Sequence, residues 1–131
     1  MARFFQKAKD GGKDSCVDGY FLIELKPAFS IVLLNFHHGS REAFHTHAFN
    51  AISWYLKGHS LMEEDFKFPR FERRYRPSWK PIYTPREKMH KVRSIGSSWV
   101  LSFRGPWIDT WREWTEKLGH TTLTNGRVRV A

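Results

Sequence analysis

Short runs of β-forming residues, each closed by a turn residue, recur through the middle of this sequence and restrict it to a fold of many small strands. Residues 20–25 (Tyr-Phe-Leu-Ile-Glu-Leu), 30–36 (Ser-Ile-Val-Leu-Leu-Asn-Phe) and 51–56 (Ala-Ile-Ser-Trp-Tyr-Leu) are the clearest. Gly58 breaks the third run, and residues 60–66 and 70–75 read as a returning hairpin pair. Later strands are expected at 91–93 and 99–103, while Pro77, Pro81 and Pro85 confine the pairing between them to edges and bends. The pattern predicts an all-β sandwich or barrel.

One helix is expected. Thr110-Trp111-Arg112-Glu113 has capping-box spacing, Trp111, Trp114 and Leu118 fall on one helical face, and Gly119 is a suitable stop. Such a helix would lie against the outside of the barrel. After it, the Asn125-Gly126 pair between β-formers predicts a C-terminal hairpin. Residues 1–18, rich in Lys, Asp and Gly, read as an N-terminal arm, leaving 19–131 as a single domain.

A chain of 131 residues with 40% hydrophobic and 16% aromatic content suffices for one core and no more. Its longest uncharged apolar stretch is half of the roughly 20 residues that a membrane span needs. The N-terminus lacks the apolar core of a secretion signal. Cys16 is the only cysteine, which excludes an intramolecular disulfide and a cysteine-based zinc cluster and makes the cytoplasm the expected compartment. The net charge of +9 favours an anionic partner.

Of seven histidines, His45 and His47 are distinguished by spacing. Residues two apart on a strand share a face, so their imidazoles stand side by side, the arrangement that a first-row transition ion requires. The competing reading of this pair alone is two half-buried polar residues near a strand end.

The surroundings of that pair carry more information. Five residues separate Gly39 from His45, three separate His47 from Ala51, and six separate Ala51 from Gly58. Further on, Trp79, Pro85-Arg86-Glu87, His90 and Ser94 keep a second set of spacings. In register these segments resemble the two motifs of the cupin superfamily, in which a Gly opens the first motif, His-x-His and Glu follow, and a Gly closes it. In the second motif a Gly precedes Pro-x-Gly, a His and an Asn. The departures are Ala51 for the Glu, Trp79 and Glu87 for glycines, and Ser94 for the Asn. The resemblance covers residues 39–94. The whole also resembles small, basic cupin-like proteins of phage genomes. It implies a double-stranded β-helix (jelly-roll) barrel with one metal ion on His45, His47 and His90.

With Ala51 in the carboxylate position, the resemblance implies three neutral ligands and positions left free for water, an anionic substrate or dioxygen. This is similar to the all-histidine iron sites of thiol dioxygenases, so Fe(II) is the favoured cofactor; zinc, manganese or nickel, and a barrel without metal, are the alternatives. One of Glu63 and Glu64 must face inward, where it would suit an imidazole as hydrogen-bond partner; the competing and favoured reading is a solvated acidic face on a basic protein. Alternation from Ala51 also turns Tyr55 inward, either as a pocket phenol or as a core tyrosine. Tyr55 and Arg86 are the candidate substrate-orienting residues.

Between Phe66 and Arg93 many Lys and Arg residues interleave with aromatics. Either they rim the barrel mouth and draw in a phosphate-bearing ligand, or the aromatics are core and the cations their solvated face. Three functions compete: an Fe(II) oxygenase acting on a small or nucleotide-like anionic substrate, a non-catalytic binding module for a nucleotide or nucleic acid, and a sugar-type isomerase or epimerase with a histidine base. The oligomeric state is left open; cupins often pair through their outer sheets, so the resemblance offers a homodimer as one assembly.

Overall fold

The computed structural model describes residues 2–10, 16–40, 44–66, 72–115, 118–124 and 128–129. These form an antiparallel sheet of twelve strands curled around one cavity: β1 (Ala2–Lys9), β2 (Val17–Leu25), β3 (Phe29–Phe36), β4 (Gly39–Ser40), β5 (Phe44–His45), β6 (Ala51–Asp65), β7 (Glu72–Tyr75), β8 (Ile82–Thr84), β9 (His90–Arg104), β10 (Thr110–Thr115), β11 (Gly119–Thr124) and β12 (Val128–Arg129). Among the described residues no helix is long and apolar enough to cross a membrane.

Strand β9 is the spine. One edge pairs with β6 from Ala51↔Arg104 to Asp65↔His90, and the other meets β3, β4 and β5 in turn. The two segments expected at 91–93 and 99–103 are parts of this one strand. Its even-numbered residues face inward, with His90, Ser94, Ser98, Val100, Ser102 and Arg104 all buried, as a period of two requires. The expected hairpin of 60–66 with 70–75 is present as the β6–β7 pairing, Leu61↔Tyr75 to Glu64↔Glu72.

The alternation along β6 survives two irregularities, between Tyr55 and Lys57 and between Gly58 and Ser60. One slip would turn every later side chain to the opposite face; two restore the phase. Hence Leu61 and Glu63 line the cavity as Ala51 and Ser53 do. Gly58 does not end the strand. Its φ of +150° is unfavourable for other residues, and a Cβ there would stand 2.4 Å from Tyr55 Oη and 2.7 Å from Ser98 Oγ. The main core packs Val17, Phe21, Val32, Leu34, Tyr55, Leu61 and Val100.

The helix expected from Thr110 onward is not formed. Thr110–Thr115 is strand β10, hydrogen-bonded to β5 on one side and β11 on the other. Helical spacing would have buried Trp111, Trp114 and Leu118 together. Instead Trp111 faces the cavity, Trp114 packs on Phe44 and Phe66, and Leu118 is 57% exposed. Two neighbouring strands with free backbone groups, and threonines that favour extended backbone, outweigh the local helix signal. Gly119, read as a helix stop, has φ +65° and follows the turn between β10 and β11. Strand β11 pairs with β12, Leu123↔Arg129 and Thr124↔Val128; the Asn125-Gly126 turn lies outside the described residues. Within the segment read as an arm, Ala2–Lys9 is edge strand β1, paired with β2 from Ala2↔Leu25 to Lys9↔Asp18.

Candidate metal centre

His45 closes the short strand β5, where its Cα registers with those of His90 on β9 and Glu113 on β10. The chain continues extended through Thr46, whose N–H donates to Arg112 O (2.8 Å), to His47, whose N–H donates to Arg86 O (3.0 Å). Both histidines are therefore fixed by backbone bonds to other strands and loops. His90 is brought to them by β9. The imidazole centroids form a near-equilateral triangle: 4.9 Å for His45–His47, 5.0 Å for His45–His90 and 5.0 Å for His47–His90.

One nitrogen from each ring lies within 4.8 Å of the others. Small ring movements would bring all three to the roughly 2.0–2.1 Å typical of imidazole–metal bonds. His90 supplies an internal test of fit. Its Nδ1 is hydrogen-bonded to Glu63 Oε2 at 2.5 Å, whereas Nε2 is buried with no protein partner. A buried imidazole nitrogen without a partner is costly unless something occupies it. The donor set and the orphaned nitrogen both fit a metal ion.

Glu63 is the inward member of the Glu63/Glu64 pair and is 4% exposed. Besides His90 it accepts hydrogen bonds from Tyr75 Oη and Lys88 Nζ, each at 3.0 Å to Oε1. Burial opposes its ionisation, but the hydrogen bonds from His90 and Lys88 outweigh burial and hold the carboxyl down at about 2. The ionised Glu63 in turn helps burial push the Tyr75 phenol up to about 12. Accepting from Nδ1 fixes the His90 tautomer that leaves Nε2 directed at the cluster.

The cluster opens into a cavity of about 530 Å³, which Ala51 and Ser53 also line. Tyr55 and Arg86 do not line it. Tyr55 is 1% exposed, with its hydroxyl hydrogen-bonded to Ser98 Oγ (3.0 Å) inside the core. Arg86 acts through its backbone, donating to Asn50 Oδ1 (2.8 Å) and accepting from His47, while its side chain meets Glu87. Glu87 sits in a tight turn closed by Lys88 N–H to Pro85 O.

The remaining histidines stand apart from the cluster. His37 is hydrogen-bonded to Asp18, His38 accepts from Gly96 N–H, and His59 and His120 are exposed. The basic run fits neither reading in full: Trp79 and Tyr83 are exposed rather than core, while Lys88 reaches the buried Glu63. None of Arg73, Arg74, Arg76, Lys80, Arg86, Lys88, Lys91 and Arg93 lines the cavity. Two residues that sequence reasoning passed over do line it: Arg104, joined to Asp10 by two hydrogen bonds, and Trp107. No local motif marks either one; only the inward phase of β9 and the closure of the barrel reveal them.

A curled antiparallel sheet with three histidines at its interior defines a small cupin-fold protein with a candidate metal centre. No protein-family model matches the sequence, and no curated protein matches it. Solved structures do. The Fe(II) form of HppE superposes with a TM-score of 0.61 at 14% identity over 76% of this chain and 55% of that one. An RmlC-like cupin from Shewanella frigidimarina gives 0.58 at 13% over 78% and 84%, and oxalate decarboxylase from Bacillus subtilis gives 0.58 at 11% over 82% and 29%. This chain thus spans about half the length of HppE. At these identities the likeness establishes the fold, and the three-histidine cluster fits a cupin metal site.

Proposed function

We propose that this protein is a metal-dependent cupin enzyme, an Fe(II) oxygenase that takes a small molecule into the barrel. His45, His47 and His90 are its ligands. The observation that carries the reading is the histidine triangle around a point where the buried Nε2 of His90 has no other partner. A divalent ion held by three neutral imidazoles keeps its full charge and open positions, and when it is iron it supplies dioxygen-activating chemistry. Ala51 lines the cavity and offers no ligand atom, and Glu63 holds the His90 ring. HppE, a structural neighbour with an iron(II) form, supports iron over other ions as the first metal to test.

The test is elemental analysis of protein purified without chelator or affinity metal, followed by nitric oxide, a dioxygen surrogate, added to the iron(II)-loaded protein. About one transition ion per chain, lost in His45→Ala and His90→Ala, together with a new paramagnetic signal on nitric oxide addition, is expected. Absence of metal after reconstitution overturns the reading. The isomerase reading is disfavoured because the histidines that line the cavity are the members of the triad. A nucleic-acid reading rests on a different face, where Trp79 and Tyr83 are 82% and 59% exposed near Arg76 and Lys80. Chelator-insensitive, steeply salt-dependent binding of single-stranded DNA would favour it.

A further inference from the structure

The +9 charge directs attention to anionic substrates, but the cavity itself carries a different composition. Three cations line it among the described residues, and each is already engaged. Lys9 Nζ is 3.0 Å from Asp18 Oδ1. Lys26 Nζ lies 4.5 Å from the centre of the Trp107 ring. Arg104 donates through Nη1 and Nη2 to Asp10 at 3.2 and 2.8 Å. Three carboxylates, Asp10, Glu24 and Glu63, line the same cavity and balance those charges. An incoming phosphate would find Lys9 and Arg104 already paired with carboxylates, with Lys26 held over the Trp107 ring, and would have to leave water to meet the cavity's own carboxylates.

Aromatic rings, by contrast, run outward from the metal centre without a gap. The Phe49 ring lies 5.3 Å from the His47 ring, Trp107 lies 5.3 Å from Phe49, and Trp111 lies 5.7 Å from Trp107. The Arg104 guanidinium stacks over the Phe49 ring at 4.6 Å, so its planar face belongs to the same wall. Phe21, Phe36 and Val100 also line the cavity. A run of aromatic rings of this kind recognises a ligand by its apolar body, while the metal orients its head group.

Resting on the metal-centre reading, we infer that the substrate is a small molecule with an aromatic or comparably apolar body, carrying one oxygen-bearing head group that reaches the metal. Its body lies along the Phe49–Trp107 wall. Nucleotides and other phosphate-rich molecules are outside this class.

Zinc-loaded protein tests this by calorimetric titration with three probes: acetohydroxamate, benzohydroxamate and adenosine monophosphate. The hydroxamates share a metal-binding head and differ in the apolar body. Benzohydroxamate is expected to bind about 10- to 100-fold more tightly than acetohydroxamate, the effect of burying one phenyl ring. Phe49→Leu, which keeps the core filled, should cut that ratio at least about threefold. Adenosine monophosphate should bind at least about tenfold more weakly than benzohydroxamate. Equal affinity for the two hydroxamates, or tighter binding of the nucleotide, overturns the substrate class and leaves the metal centre intact. Failure of the wild-type protein to take up zinc overturns the metal reading and this inference together.

Discussion

Gly58→Ala should be among the most damaging single-methyl changes in this barrel. Gly58 has φ +150°, faces Ser98 across the β6–β9 ladder, and has no room for a Cβ: Tyr55 Oη would be 2.4 Å away, Ser98 Oγ 2.7 Å and Ser98 Cα 2.9 Å. The positive φ costs an L-residue roughly 1–2 kcal/mol. Relief of the overlap must come from Tyr55, which is 1% exposed and cannot move outward, or from the β9 backbone. Overpacking of this kind costs about 1–3 kcal/mol, and if Tyr55 withdraws, its hydrogen bond to Ser98 is lost with a further cost of about 1 kcal/mol. A total destabilisation of about 2–6 kcal/mol follows, the upper part of the range applying if Tyr55 withdraws. Gly96→Ala is the matched control, because Gly96 has φ +73° and open space at its Cβ, so only the backbone cost of about 1–2 kcal/mol applies. Urea unfolding followed by tryptophan fluorescence measures both. In a Tyr55→Phe background the nearest clashing atom is gone, and Gly58→Ala should cost at least about 1 kcal/mol less, a coupling read directly from the double-mutant cycle. If Gly58→Ala and Gly96→Ala agree within about 1 kcal/mol, the steric argument is wrong.

Glu63→Gln removes the carboxylate that accepts from His90 Nδ1, and zinc affinity, measured by competition with a chromophoric chelator, should fall about 10- to 100-fold. An unchanged affinity would show that the His90 ring needs no such partner. The Asp18 carboxyl is held at about 2 by hydrogen bonds from His37 and Lys9. Because its folded value is depressed from 3.8, its stabilisation is fully present above that ordinary value and is lost as pH falls through about 2. Asp18→Asn should therefore flatten the acid limb of a stability–pH curve in that window, and an acid limb identical to wild type would refute the assignment. Adding benzohydroxamate to the metal-loaded protein should raise its melting temperature in proportion to the logarithm of ligand concentration, while adenosine monophosphate at equal concentration should not.

The sequence by itself determined the parts that depend on local period and on fixed spacing. Residues two apart share a strand face, so the side-by-side placement of His45 and His47 was legible, and the resemblance of the second set of spacings to the cupin motif implied His90. The same period required one of Glu63 and Glu64 to face inward. It left open which one, since the answer depends on two slips in the β6–β9 register that cancel, and register is a property of paired strands. Capping-box spacing and three apolar residues on one helical face pointed to a helix at Thr110, where β5 and β11 instead supplied backbone partners on both sides and made a strand. Interleaved cations and aromatics left a basic mouth open as one reading; barrel closure kept the described cations of the 66–93 run off the cavity lining and placed the paired Arg104 and Trp107 on it. Local chemistry fixes which residues are able to bind a metal or form a strand. Only the closed sheet decides which of them meet, because that depends on contacts between residues far apart in the chain, whose partners no short window of sequence contains.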